Sequence, residues 1–427
     1  MKILITGAFG FVGTNLSAYL AEKGHELWAL DVASVGNKQS ASGNKQEAMG
    51  KRQWPSGQEN DSRQDAKAQR GGGANAQRST LNAQRSSFEL GAYVRCYGWE
   101  ELEKIPWLDV DAVIHLAGKA HDTRNASDPQ SYFDVNVGLT KKVLQSAMGS
   151  WQLAIGKGSY SRQDAKTQSD GQASMVDWQN GKAVAAPANL ATPANQLASL
   201  KRFILFSSVK AVADRVEGVL TEDAVPDPKT PYGQSKLEAE KEVLKCGSSK
   251  VRESGETTAN NANDNHFRTY ILRPCMIHGP GNKGNLNLLH GVVSKGMPWP
   301  LGAFENKRSF ASIMNVCAAV DGFLTGNAPS GIYQVADDEP LSTNDLIGLI
   351  AESLGRRARI WKMPAGLVRQ CAKVGDVLRL PLNSERLKKL TESYVVSNVK
   401  VKKALGWNSM PIRAEDGMRK TLGSFGK

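Results

Sequence analysis

Apolar and polar positions follow two rhythms along this chain, and each change of rhythm marks an element. Ile3-Leu-Ile5 opens as an unbroken apolar run. Apolar positions then spread to helical spacing over 14–23. Glu26-Leu-Trp-Ala-Leu30 restores a continuous apolar run that closes on Asp31. Short continuous runs suit strands buried on both faces, and wider spacing suits a helix with one buried face. The same succession predicts strands at 92–96, 112–118, 203–206 and 269–273. It predicts helices over 129–147 and 231–244, with Pro231 near a first turn, where its missing N–H leaves no bond unmade. Strands alternating with helices predict an α/β fold, a Rossmann-like doubly wound parallel sheet.

From Gly281 the rhythm changes. Glycines, prolines and short helical pieces interleave with Arg308-Ser-Phe310 and Gly331-Ile-Tyr-Gln-Val-Ala336. Leu341-Ser-Thr343 precedes a helix expected over 344–354. The reading is a sheet domain over 1–280 and a smaller C-terminal substrate lobe, mainly 281–427, with some segments returning to the sheet.

Three stretches carry neither rhythm: 36–87, 150–198 and 247–265. The first two are rich in Gln, Asn, Ser, Gly, Lys and Arg and share near-repeats such as Ser62-Arg-Gln-Asp-Ala-Lys67 and Ser161-Arg-Gln-Asp-Ala-Lys166, and the third is shorter and polar. Such low-complexity insertions cannot bury enough apolar surface to offset the entropy of ordering, so disorder is expected. Without them 307 of the 427 residues remain, enough for one α/β domain with a second lobe.

This changes how the net charge of +12 reads. Stretch 36–87 holds nine Lys or Arg against four acids, with one aromatic, Trp54. A nucleic-acid surface needs basic residues clustered on a folded face, so a solvated insertion is expected and nucleic acid is not an expected partner. The five cysteines are scattered without a C-x-x-C pair, which argues against zinc or a disulfide framework, and no metal is expected. The N-terminus enters a strand at once, and the uncharged stretch 183–200 is too rich in Pro, Asn and Gln to span a membrane. A cytoplasmic protein with no membrane span is expected.

The chemistry begins at the first turn. Gly7-x-x-Gly10-x-x-Gly13 joins the first strand to the first helix. Gly7 permits the tight turn, Gly10 lets backbone approach a pyrophosphate, and Gly13 lets helix and strand pack closely. The phosphates then lie on the unpaired N–H groups of the helix start, around Phe11 and Val12. Asp31, eighteen residues after Gly13, is placed to accept from the adenosine ribose hydroxyls and to repel a 2′-phosphate. NAD is therefore expected over NADP. Leu116-Ala-Gly118 ends the fourth strand where an open parallel sheet meets its ligand, and Asn136 lies in the following helix.

Tyr232-Gly-Gln-Ser-Lys236 sets Tyr and Lys on one helix face. An adjacent ammonium, with an oxidised nicotinamide, favours the phenolate and fits Tyr232 as a general base toward a hydroxyl. Lys236 can also donate to the nicotinamide ribose. Ser208, at the end of the fifth strand, can hold the same substrate oxygen and share its proton.

With these residues in hand, the chain resembles the extended short-chain dehydrogenase/reductases, the NAD-dependent epimerase/dehydratases. The matching pieces are Thr6-Gly-Ala-Phe-Gly-Phe-Val-Gly13, His115-Leu-Ala-Gly118, Asn136, Phe206-Ser-Ser208, Tyr232-Gly-Gln-Ser-Lys236, Leu272-Arg-Pro274 with Gly279-Pro280, Arg308-Ser-Phe310 and Lys402-Lys-Ala-Leu-Gly-Trp407. The resemblance implies NAD held by Gly7, Gly10, Phe11, Val12, Gly13, Asp31, Leu116, Ala117, Gly118, Asn136, Tyr232 and Lys236. It implies catalysis by Ser208, Tyr232 and Lys236, and a homodimer. The stretch from Gly281-Asn-Lys-Gly-Asn-Leu286 to Asn306-Lys-Arg-Ser309 looks like UDP-hexose and UDP-N-acetylhexosamine 4-epimerases of surface-polysaccharide supply. Arg308 would then hold the pyrophosphate of the nucleotide-sugar substrate, with Asn285 and Ser208 also touching it. The expected reaction is transient oxidation at C4, with an NAD(P)H-dependent 4-ketoreductase as the alternative. A non-catalytic NAD-binding regulator is the alternative of another class.

The sequence also departs from the family pattern. Met276 stands where many sugar-nucleotide epimerases carry Asn. The third strand ends in Arg95-Cys-Tyr97 rather than an acid. Val209-Lys210 replaces the acidic pair a 4,6-dehydratase needs, so dehydration is disfavoured. Lys210 is expected either at the substrate or in solvent. His121 and His278 are read as structural.

Overall fold

The computed structural model describes residues 1–31, 93–120, 128–158, 174–177, 182–185, 201–248, 267–282, 285–378 and 383–425. Stretch 36–87 and His121 lie outside these residues.

Seven strands form one sheet: β1 (Lys2–Thr6), β2 (Glu26–Asp31), β3 (Tyr93–Gly98), β4 (Ala112–His115), β7 (Arg202–Phe206), β9 (Arg268–Pro274) and β12 (Gly331–Val335). Their order is β12-β9-β7-β4-β1-β2-β3, with every neighbouring pair parallel. The α/β doubly wound expectation is therefore met. The chain winds outward from β1 in one direction through β2 and β3, and then in the other through β4, β7, β9 and β12. The reversal falls between β1 and β4, and open sheets of this kind bind ligands at such a switch point.

Buried strands with period-two side chains must present apolar residues to both faces, and these do. Ile3, Ile5, Leu27, Ala29, Ile114, Ile204 and Leu272 face one layer. That layer includes α1 (Phe11–Glu22) and α6 (Ile313–Thr325), which pack on each other. Leu4, Trp28, Leu30, Val113, Phe203, Leu205 and Ile271 face the other. Helices α3 (Gly138–Gly158) and α4 (Pro231–Ser248) cover it.

Several boundaries differ from the sequence reading, each for a local reason. Helix α1 starts three residues earlier than 14–23, because extended Gly10 is its N-cap. The 112–118 strand ends at His115. The expected helix 129–147 is two helices, α2 (Gln130–Asn136) and α3. The Thr140 hydroxyl donates to the Asn136 carbonyl at 2.7 Å, a back-bond of the kind that bends helices. Gly331–Val335, grouped at first with the lobe segments, is the sheet's last strand. Part of 150–198 has regular backbone: α3 runs to Gly158, and β5 (Ser174–Asp177) pairs antiparallel with β6 (Lys182–Ala185).

The second lobe has its own apolar centre, which includes Leu286, Trp299, Phe310, Ile350, Val368 and Met418. Its helices include α5 (Asn285–Ser294), α7 (Thr343–Ser353), α8 (Ala365–Leu378), α9 (Ser384–Thr391), α10 (Val399–Leu405) and α11 (Ala414–Leu422). A capping box fixes the start of α7: the Ser342 hydroxyl accepts from Asp345 N, and the Asp345 carboxylate accepts from Ser342 N. A two-stranded sheet, β10 (Met276–His278) with β11 (Phe310–Ser312), follows directly from β9 and ties the lobes together.

Candidate active site

The glycine turn sits at the switch point. Thr6 pairs with His115 at the ends of β1 and β4, and beyond them the two chains part. Gly7 has φ +67°, a left-handed conformation that favours glycine. A Cβ there would stand 2.8 Å from Ala117 N. One on Gly13 would stand 2.4 Å from the Ala8 carbonyl oxygen. Turn, helix start and Leu116-Ala-Gly118 are thus in backbone contact. Phe11 and Val12 occupy the first turn of α1, where helix N–H groups lack intrahelical acceptors. Asp31 closes β2 nearly buried and accepts from Phe9 N at 2.8 Å. It thereby clamps the turn.

Two of the expected residues, Asn136 and Lys236, adjoin Gly118. A Cβ on Gly118 would lie 2.7 Å from Asn136 Oδ1 and 3.0 Å from Lys236 Nζ. Asn136 accepts from Lys119 N and donates to the Ser235 hydroxyl, both at 2.8 Å, so it locks the end of β4 to α4. The Ser208 side chain acts on the Tyr232 phenol. Burial pushes the Tyr232 phenol above its usual value, Ser208 works against this, and Tyr132 adds to the rise. Lys236 is buried and donates to the Phe206 carbonyl at 3.0 Å. Burial lowers its ammonium to about 8, with Glu240 opposing. Burial is the largest of these effects on the phenol.

Behind these residues lies a layer the sequence reading missed. Glu240, one turn beyond Lys236, receives two bonds from Arg273, from Nε at 2.9 Å and Nη2 at 2.6 Å. The Ser207 hydroxyl donates to the same carboxylate. Arg273 is 2 % and Glu240 1 % exposed, so each charge depends on the other. His115 contacts Thr6 Oγ1 at 2.7 Å and Thr140 Oγ1 at 3.0 Å. Burial, with Lys236 nearby, lowers it to about 3, so it is neutral. Lys-x-x-x-Glu was visible as an i,i+4 pair on α4, but no local pattern named Arg273 as its partner.

The substrate side is assembled from distant segments. Arg308 is held by backbone bonds to Leu341, while Ser309 N bonds the Tyr394 carbonyl. The Tyr394 hydroxyl donates to the Ala213 carbonyl at 2.8 Å and the Val209 carbonyl at 3.3 Å, so this strand of the lobe meets the loop that carries Ser208. Lys210 stands 4.2 Å over the Tyr394 ring and donates to the Asp214 carbonyl at 2.8 Å. Burial lowers its ammonium, Asp214 opposes, and Arg308 adds like-charge repulsion. Burial lowers Arg308 as well, with Glu392 opposing. Lys210 is therefore neither solvated nor alone. Lys210, two residues from Ser208, and Arg308 are two half-buried cations near each other, an arrangement suited to an anionic group. Asn285 is the first residue of α5, and only its backbone is described. His278 lies buried against Thr421 and Asp337, consistent with a structural role. Met276 is exposed.

The residues fit a dinucleotide. The cradle has backbone where side chains would collide, an acid at the end of β2, and the Asn136 amide and Lys236 ammonium against Gly118. Among the described residues no helix is long and apolar enough to cross a membrane.

Comparison with known proteins agrees. The chain belongs to the NAD dependent epimerase/dehydratase family, whose family model matches residues 3–336. It is 31% identical over 237 residues to a UDP-glucose 4-epimerase of Vibrio cholerae, covering 53% of this chain and 63% of that protein. It is 28% identical over 203 residues to an N-acetyl-alpha-D-glucosaminyl-diphospho-ditrans,octacis-undecaprenol 4-epimerase of Escherichia coli O157:H7, covering 47% and 54%. The matches thus span under two thirds of either relative. The fold is similar to that of a UDP-glucuronic acid 4-epimerase from Bacillus cereus crystallised with NAD, with TM-score 0.57, 16% identity, and coverage of 99% of this chain and 96% of that one.

Proposed function

We propose that this chain is an NAD-dependent 4-epimerase of a nucleotide-linked sugar, a UDP-hexose or UDP-N-acetylhexosamine, working in the cytoplasm in surface-polysaccharide supply. By family resemblance it acts as a homodimer. The observation that carries this reading is the grouping of Ser208, Tyr232 and buried Lys236, whose ammonium donates to the Phe206 carbonyl at the carboxyl end of a central strand. Both relatives named above are 4-epimerases, which supports C4 as the reacting carbon.

The residues divide the work. Phe11 and Val12 amides and the Gly7–Gly13 turn receive the dinucleotide phosphates, Asp31 receives the adenosine ribose, and Lys236 and Asn136 hold the other end. Bound there, NAD supplies the acceptor and later the donor of the C4 hydride. Tyr232 takes the C4 hydroxyl proton and returns it, and Ser208 holds that oxygen throughout. Arg308 offers a guanidinium fork to the sugar-nucleotide diphosphate. Val209-Lys210 supplies no acid pair for dehydration.

The test is incubation of the full chain with a panel of UDP-sugars, with products resolved by NMR. Interconversion of C4 epimers without net cofactor consumption is expected. Stoichiometric NAD(P)H use on a UDP-4-keto-sugar, with no epimer formed, would replace this reading by the ketoreductase. NAD binding with no turnover of any sugar would replace it by the regulator.

A further inference from the structure

One surface of the second lobe has no part in the chemistry above. Residues 356–373 hold six Lys or Arg side chains (Arg356, Arg357, Arg359, Lys362, Arg369 and Lys373) and no Asp or Glu. All six are exposed. Arg356 donates to the Ser294 carbonyl at 2.7 Å, Arg359 to the Gly296 carbonyl at 3.4 Å, and Arg369 lies 5.9 Å over the Phe304 ring. Among the described residues, none of the six has a carboxylate partner.

Large apolar side chains stand exposed among these cations. Met297 is 48% exposed, Trp361 58%, Leu367 47% and Val374 54%. The strap at 359–362 is fixed rather than loose, since Trp299 N bonds the Arg359 carbonyl and Trp361 N bonds the Trp299 carbonyl, at 2.7 and 2.8 Å. Helix α8 is anchored from beneath by Val368 and Ala372. That anchoring leaves Leu367, Cys371 and Val374, spaced i, i+4 and i+7, as one outward stripe. Between strap and helix α5 lies a cavity of about 410 Å³, with Met297 and Ile347 among its apolar walls and Arg356, Arg357 and Arg359 lining it.

We propose that this face docks the chain on an anionic lipid bilayer. A fixed surface with Trp and aliphatic tips among unpaired cations matches both parts of such a membrane. The tips enter the headgroup and acyl boundary, and the cations meet the negative surface potential. Charge complementarity singles out this occupant. A second copy of the chain on the same face would bring six cations against six. A nucleic acid would leave Met297, Leu367 and Val374 without bases to stack on, because three of the four exposed tips are aliphatic. The cavity suits a lipid phosphate with part of its acyl chain. Helix α5 separates this face from the loop 279–282, which packs on Phe11 at the glycine turn, by about 15 Å for ten residues of helix. A docked chain would hold its cleft open to solvent near the bilayer. The inference does not depend on which sugar is turned over.

The test is flotation of the full chain with vesicles of two parts phosphatidylcholine to one part phosphatidylglycerol, against pure phosphatidylcholine and against single-stranded RNA. Binding to the anionic vesicles is expected, falling as salt screens the cations. Arg356→Glu with Arg359→Glu should weaken binding about tenfold or more. Trp361→Ser with Leu367→Ser, which keeps every charge, should also weaken it. Both double variants alter exposed positions outside the cleft, so UDP-sugar turnover should be unchanged. Hydrogen exchange on the unaltered chain gives a second measurement, in which residues 356–374 should gain protection when anionic vesicles are added. Equal binding by all variants, equal flotation with neutral vesicles, RNA binding without vesicle binding, or no protection in 356–374 would each overturn the proposal.

Discussion

The cleft has two walls that fail differently. On the dinucleotide side, backbone lies against backbone, and an added Cβ at Gly7 or Gly13 would meet main-chain atoms at 2.4–3.0 Å. On the sugar side the functional groups are tips of long side chains, Lys210 and Arg308, brought near each other by Tyr394. The first wall can hold one shape of ligand, because its shape is set by main chain. The second is shaped by charges on flexible stems. One cleft thus combines two kinds of construction, main chain on one wall and long side chains on the other.

The largest effect should come where the walls meet. Tyr232→Phe removes the proton acceptor and keeps the ring packed at right angles on Tyr132. Turnover should fall about 10²–10⁴-fold, the usual worth of a general acid–base group, while NAD affinity stays near that of the unaltered chain. Burial holds the phenol above its usual value, and the reactive form is the phenolate. Turnover by the unaltered chain should therefore rise with pH through the neutral range, and the residual activity of the variant should lack that limb. Steady-state rates at several pH values check both. Retention of more than about a tenth of the activity would remove Tyr232 from the mechanism, since it lies outside that range.

A second comparison sets a cation buried behind the first wall beside one on the second. Arg273→Met strands Glu240 in the protein interior, and losing one partner of a buried pair costs about 3–5 kcal/mol. Lys210→Met removes a half-buried ammonium that leans on a carbonyl and a ring, and its cost should stay near 1 kcal/mol, the scale of one such contact. Urea melts of the two variants measure the difference. Adding Glu240→Leu to Arg273→Met should recover much of the lost stability, because the stranded charge goes too. Equal costs for the two single variants would mean that the walls do not differ in the way described.

Sequence made the first wall legible and left much of the second hidden. Glycines at fixed offsets, an acid at a strand end and Tyr-x-x-x-Lys are local patterns whose geometry follows from helix and strand periods. The parallel, doubly wound sheet likewise followed from alternation of elements. Partners far apart had no such signal. Arg273 meets Glu240 across 33 residues, and Tyr394 reaches the Val209 carbonyl across 185. Only sheet order and the return of the lobe bring them together. The short β10 and β11 strands were missed because three residues carry no readable period. Gly331–Val335 was grouped with the lobe because it follows the change of rhythm, although it returns to the edge of the sheet.

The smallest expected effect bears on whether the dinucleotide wall recognises its ligand by shape alone. Asp31 has two roles that ordinary substitutions would confuse: one oxygen clamps the glycine turn through Phe9 N, and the carboxylate charge disfavours a 2′-phosphate. Asp31→Ser loses the charge and shortens the clamp. Asp31→Asn keeps an amide oxygen that can still accept from Phe9 N, so it removes the charge alone. If charge sets the preference, both variants should shift the ratio of NAD to NADP dissociation constants toward NADP by about tenfold, the equivalent of 1.4 kcal/mol. Absolute NAD affinity should fall further in the Ser variant, where the turn is also loosened. Titration calorimetry with each cofactor gives the four constants. A loss shared equally by NAD and NADP in Asp31→Asn would show that Asp31 acts only as the clamp, and that main-chain shape alone governs the first wall.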